Sequence, residues 1–139
     1  VVIWVFVPSV VKYNISDEVV RTFDGVNDIV IVKELTNTVI YDYSNKALVN
    51  KAITSIKKNI DAWYTESFKY DKDKIYIVLV GGILHAIATV KALAKYPEVV
   101  YDFLVYEKKL GKYVVLDGES YEVIGTYMDE TAEHEDDIS

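Results

Sequence analysis

The sequence contains no cysteine, one methionine, two prolines and six glycines in 139 residues. The lack of cysteine excludes a disulfide framework, a thiolate zinc site and a Cys nucleophile. Histidine is scarce too: His85 and His134 are the only two, and His134 falls in a run of acids. A zinc site is therefore not expected, and neither metal nor cofactor is assigned. Arginine is almost missing, with Arg21 alone among 15 basic residues and the lysines scattered along the chain. A face that binds duplex or single strands is normally basic, contains arginine and interleaves aromatics. Long nucleic acid is thus not an expected ligand. No apolar run reaches the roughly 18 to 20 residues of a membrane helix. Val1–Val11 also has neither a basic leader nor a small-residue cleavage site. The expectation is a soluble, cytoplasmic protein with no membrane partner, and the Val start is read as processed or trimmed.

Against these absences stands a chain that is 51% hydrophobic, enough for one core. A single domain is expected over residues 1–128. Residues 129–139, DETAEHEDDIS, hold six acids and no Lys or Arg, and read as a disordered tail. That tail accounts for most of the formal charge of −7, because the rest of the chain has 16 acids against 15 bases. A nearly neutral body does not oppose a small anionic ligand.

Along the chain, VVIWVFV (1–7) is a short β-branched run stopped by Pro8-Ser9, which predicts a buried strand. Ser16 is the expected N-cap of a short helix over Asp17–Phe23. Asp28–Leu35 is a second strand. Asn45 or Ser44 caps a long helix to about Tyr64, with Leu48, Ala52, Ile53, Ile56, Ile60 and Trp63 as its apolar stripe. Ile75–Val80 is a third buried strand, and Gly81-Gly82 leads from it into an Ala-rich helix over Ile83–Lys95. That helix is apolar nearly all round, which calls for cover on two sides. Val99–Glu107 and Tyr113–Leu116 form a hairpin around Gly111, and Tyr121–Met128 is an edge strand. Such alternation implies an α/β layered fold with a mostly parallel sheet. Ligands of such sheets bind beyond the carboxyl ends of the strands, where strand order switches. The two loops that rule selects are Pro8-Ser9-Val10 and Gly81-Gly82.

In LVGGILHAIATVKAL (79–93), two glycines between strand and helix let backbone amides approach a ligand, and a helix start favours a phosphate. The alternative is that the glycines serve only a tight strand-to-helix turn. The order is neither GxGxxG after a first strand nor a Walker A loop, so ordinary dinucleotide and ATP-hydrolysing readings lack support. His85 is either a general acid or base or an ordinary polar residue at a helix start. Ser9 is either a phosphate contact or a turn residue. Tyr41, Tyr43, Tyr101 and Tyr106 read as half-buried sheet packing, with stacking on a base as the alternative.

Strand, Gly-Gly, Ala-rich apolar helix, strand: this pattern resembles the C-terminal signature of CARF domains, the CRISPR-associated Rossmann-fold sensors of cyclic oligoadenylate. The likeness follows element order over residues 1–116 and residue detail over about fifteen positions around Gly81-Gly82. Where the family often has Thr-Lys after the glycines, this chain has Ile83-Leu84, so the family's phosphate-binding lysine has no counterpart. The resemblance implies a Rossmann-like three-layer fold with a mostly parallel central sheet and a C-terminal β-hairpin. It implies a homodimer packed through Ile83–Lys95, with one cyclic oligoadenylate, cyclic tetra-adenylate foremost, across the two-fold axis. The implied ligand-binding residues are Pro8, Ser9, Val10, Gly81, Gly82, Ile83, Leu84 and His85. Some members are metal-independent ring nucleases, in which a ribose 2′-hydroxyl attacks the adjacent phosphorus to leave a 2′,3′-cyclic phosphate. Ser9 and His85 are the candidate catalytic residues for that step. A non-catalytic binding or interaction module, or an α/β enzyme acting on another nucleotide or sugar phosphate, are the alternatives. A chain this short is expected to carry no appended nuclease or helix-turn-helix.

Overall fold

The computed structural model describes residues 2–11, 14–23, 25, 28–69, 73–116 and, as backbone, 123–124. The elements are β1 (Ile3–Phe6), α1 (Ile15–Thr22), β2 (Ile29–Val32), α2 (Lys46–Glu66), β3 (Lys74–Val78), α3 (Ile83–Leu93), β4 (Tyr101–Glu107), β5 (Lys112–Leu116) and β6 (Val123–Ile124). They build one mixed sheet in the order β2-β1-β3-β4-β5-β6. The first four strands pair in parallel, while β5 and β6 add antiparallel. Of the expected Tyr121–Met128 strand, Val123–Ile124 is seen, and the rest lies outside the described residues, as do the tail 129–139 and His134.

Because side chains alternate across a strand, β1 and β3 feed two cores. Phe6, Ile75 and Ile77 point to one face, where Ile56, Ile60 and Trp63 of α2 meet Ala88, Ala92 and Leu93 of α3. Val5, Val7 and Val78 point to the other, against Ile15 and Val19 of α1 and Tyr113 and Val115 of β5. Helices therefore cover both faces of the sheet. Each fully buried Ile or Leu in these clusters contributes roughly 1.5–3 kcal/mol.

The start of α1 corrects the sequence reading. The helix begins at Ile15, behind Asn14, so Ser16 sits inside the first turn instead of capping it. Ile15 is only 1% exposed and stacks one turn from buried Val19, so starting at Ile15 brings both into the core. Asn14 makes no backbone cap; its side-chain amide donates to Asp17 Oδ2 at 2.9 Å. At α2 the expected cap is present: Asn45 Oδ1 accepts from the Leu48 N–H at 3.1 Å. The stripe of α2 is narrower than expected, however. Ala52, Ile56, Ile60 and Trp63 are buried, but Ile53 is exposed, because it faces the gap between α2 and α3. Among the described residues no helix is long and apolar enough to cross a membrane.

Candidate functional site

The strand order fixes where a site can form. From the adjacent strands β1 and β3 the chain leaves to opposite faces, toward α1 and α3, and this opens a crevice at their carboxyl ends. The two loops selected from sequence meet there. Gly81 has φ +78°, a left-handed backbone that an L side chain adopts at a cost. A Cβ on Gly81 would also lie 2.6 Å from Ser9 Cβ and 2.7 Å from Ser9 Oγ. Gly81 is thus glycine for two reasons, backbone and space, and Ser9 is the buried residue it packs on.

Gly82 differs. Its φ of −74° and ψ of 152° suit any residue, and it occupies the N-cap position of α3 without a side chain to cap with. What keeps it small is its surroundings: a Cβ there would stand 3.0 Å from the Tyr43 hydroxyl and 3.2 Å from His85 Nδ1. The first amides of α3 carry the partial positive charge of a helix start beside this spot. One of them is already engaged, since the His85 N–H donates to the Gly82 carbonyl at 3.1 Å.

His85 is not an exposed polar residue at a helix start, because it is 2% exposed. Its Nε2 lies 3.0 Å from the Thr38 carbonyl oxygen, which can only accept, so Nε2 carries the proton. Nδ1 is buried and has no hydrogen-bond partner among the described residues. Three further hydrogen bonds hold the segment that supplies Thr38. The Leu35 and Thr36 N–H groups donate to the Val7 and Pro8 carbonyls, so pairing between the β1 and β2 ends continues past the proline. The Thr38 N–H donates to Thr36 Oγ1 at 3.1 Å.

Among the expected ligand residues, Ser9, Gly81, Gly82 and His85 come together. Pro8 is buried, with its carbonyl taken by Thr36, while Val10 and Ile83 are exposed and Leu84 is half-buried. Sequence reading missed the loop between β2 and α2, residues 33–45, which brings Thr38 and Tyr43 to the crevice. Its signal was length and position, because it is long for a strand-to-helix connection and leaves the carboxyl end of a strand beside β1. The expectation of sheet packing fails for Tyr41 and Tyr43: both sit on this loop and are 80% and 55% exposed. Tyr101 and Tyr106, on β4, are half-buried as expected. Next to Tyr43 the Ser44 hydroxyl and N–H both donate to Asp42 Oδ1, at 2.6 and 2.9 Å. These bonds hold the Asp42 carboxyl below its ordinary pKa, the hydroxyl contributing most.

Beside the crevice, the outer face of α3 is apolar and uncovered in the single chain, with Ile83 and Ile87 exposed together with Leu79. A groove of about 550 Å³ runs between α2 and α3, lined by Ile53, Leu84 and Ile87 and edged by Lys57, Lys91 and Lys95. Among the described residues no group of three or more His, Asp or Glu side chains gathers as metal ligands. Comparison with protein-family models, with curated proteins and with solved structures finds no match to this chain.

Proposed function

We propose that the chain is a CARF-like, Rossmann-like sensor domain that binds a cyclic oligoadenylate at the β1/β3 crevice. The observation that carries this reading is the pairing of a side-chain-free α3 start at Gly82 with a buried, unpartnered His85 Nδ1 beside it. The helix start suits a phosphate, and the imidazole nitrogen suits a hydrogen-bond donor next to that phosphate. A phosphodiester of a ribonucleotide ring offers both groups. The uncovered Ile83 and Ile87 support the second part of the proposal, a homodimer through α3. Pairing there sets two Gly82 crevices near one two-fold axis, as one ring with repeated phosphates requires.

Ring cleavage in this site takes its nucleophile from the ligand. The ribose 2′-oxygen bonds to phosphorus, the bond to the 5′-oxygen breaks, and the 2′-hydroxyl proton ends on that leaving oxygen. The protein then contributes alignment and charge stabilisation from α3 amides. Incubation with cyclic tetra- and hexa-adenylate, read by melting temperature and by chromatography, tests both parts. At a hundredfold excess over Kd, binding adds about 2.7 kcal/mol, or roughly 8 °C for a domain of this size. A raised melting temperature with an intact ring identifies a sensor, and products ending in 2′,3′-cyclic phosphate identify a ring nuclease. Neither shift nor product with either ring overturns the reading.

A further inference from the structure

The environment of His85 Nδ1 narrows what the ligand must carry, on the premise that the crevice binds a phosphodiester. In the tautomer that donates its Nε2–H to the Thr38 carbonyl, Nδ1 carries a lone pair. Among the described residues that atom is buried and unpartnered, an uncommon state for a polar atom in a folded protein. Nδ1 and the Tyr43 hydroxyl lie 3.2 and 3.0 Å from one point above Gly82, the place a methyl group would fill. Tyr43 and the nitrogen thus border the same small space, and no hydrogen bond joins them. Tyr43 is also more than half exposed, and the hydrogen bonds beside it, Ser44 to Asp42, are local to the loop tip.

We propose that Tyr43 is a displaceable cover, and that a ligand hydroxyl takes its place and donates to His85 Nδ1 while the neighbouring phosphate rests on the start of α3. A lone pair at this position repels a second anionic oxygen and accepts from a hydroxyl. The ligand class is therefore a phosphate ester with an adjacent free hydroxyl, ribonucleotide and not deoxyribonucleotide. His85 acts as a specificity residue, and Thr38 positions it by holding the tautomer.

The cover is tested on the full chain without ligand. Diethylpyrocarbonate acylates an unprotonated imidazole nitrogen, and peptide mass spectrometry gives the rate at His85 relative to His134 in the same sample. The wild type should react slowly, Tyr43→Phe equally slowly because the ring still covers, and Tyr43→Ala at least about fivefold faster with an unchanged circular-dichroism spectrum. Equal rates in wild type and Tyr43→Ala overturn the cover. Should the alanine variant lose its fold, Tyr43→Ser is read the same way. The hydroxyl is tested with cyclic tetra-adenylate and its 2′-deoxy analogue by calorimetry. The ribose ring should bind about tenfold tighter to wild type, the scale of one hydrogen bond in a dry site. His85→Ala should bind both rings alike. Equal affinity of wild type for the two rings overturns the hydroxyl assignment. Failure to bind either ring overturns the phosphodiester reading and the hydroxyl assignment built on it, and the acylation rates still judge the cover.

Discussion

Among the described residues three turns carry a glycine in the left-handed region, at Gly25, Gly81 and Gly111, and the last two use it differently. Gly111 closes the β4–β5 hairpin with φ +63°, its N–H donating to the Glu107 carbonyl at 3.0 Å, and a Cβ there would meet nothing within 4 Å. Gly81 has a similar φ of +78°, but the Ser9 side chain stands where its Cβ would go. The hairpin turn needs glycine for its backbone alone, whereas the crevice turn needs it for the backbone and for the contact between two loops. The difference separates the crevice turn from a mere connection: in the crevice, separate parts of the chain press on one another.

The largest expected effect separates these cases. Gly81→Ala combines about 1–2 kcal/mol of left-handed strain with about 1–3 kcal/mol of overpacking against Ser9, so a loss of about 3 kcal/mol is expected in urea unfolding. Adding Ser9→Gly should return about 1–2 kcal/mol of that loss, since it removes the obstructing atoms. If the two substitutions are strictly additive, the contact is not what makes Gly81 obligatory. Gly111→Ala should cost only the strain, about 1.5 kcal/mol, and Gly111→Asn a few tenths, because Asn tolerates this conformation. Equal losses at Gly81 and Gly111 would erase the distinction. Among the three alanine variants the smallest stability change belongs to Gly82→Ala, a loss of about 0.5 kcal/mol, since its backbone suits alanine and exposed Tyr43 can yield. Yet this variant should lose ring affinity about tenfold in calorimetry, as its methyl fills the space beside His85 Nδ1.

Most elements were legible because their signals are local. Buried β-branched runs gave the strands, the three-and-four spacing of Ile56, Ile60 and Trp63 gave α2, and Gly111 marked the hairpin. The start of α1 was misread because Ser16 satisfies a local capping preference that burial of Ile15 overrides. At the crevice the glycine pair was visible, but not the division of labour within it. Whether a glycine is fixed by its φ or by a neighbour depends on where Ser9 and Tyr43 arrive, and nothing near position 81 in the sequence encodes that. Burial of His85 was hidden for the same reason: its partner Thr38 is 47 residues away.

That hydrogen bond has a consequence for the order of folding. Ser9, the 38–43 loop and the Gly81–His85 turn belong to three separated stretches, joined only when β1, β2 and β3 have taken their register. Long-range closures of this kind form slowly and late, after local pieces such as the β4–β5 hairpin. A chain emerging from synthesis therefore completes the crevice, and with it the enclosed setting of His85, only once these three strands are in place.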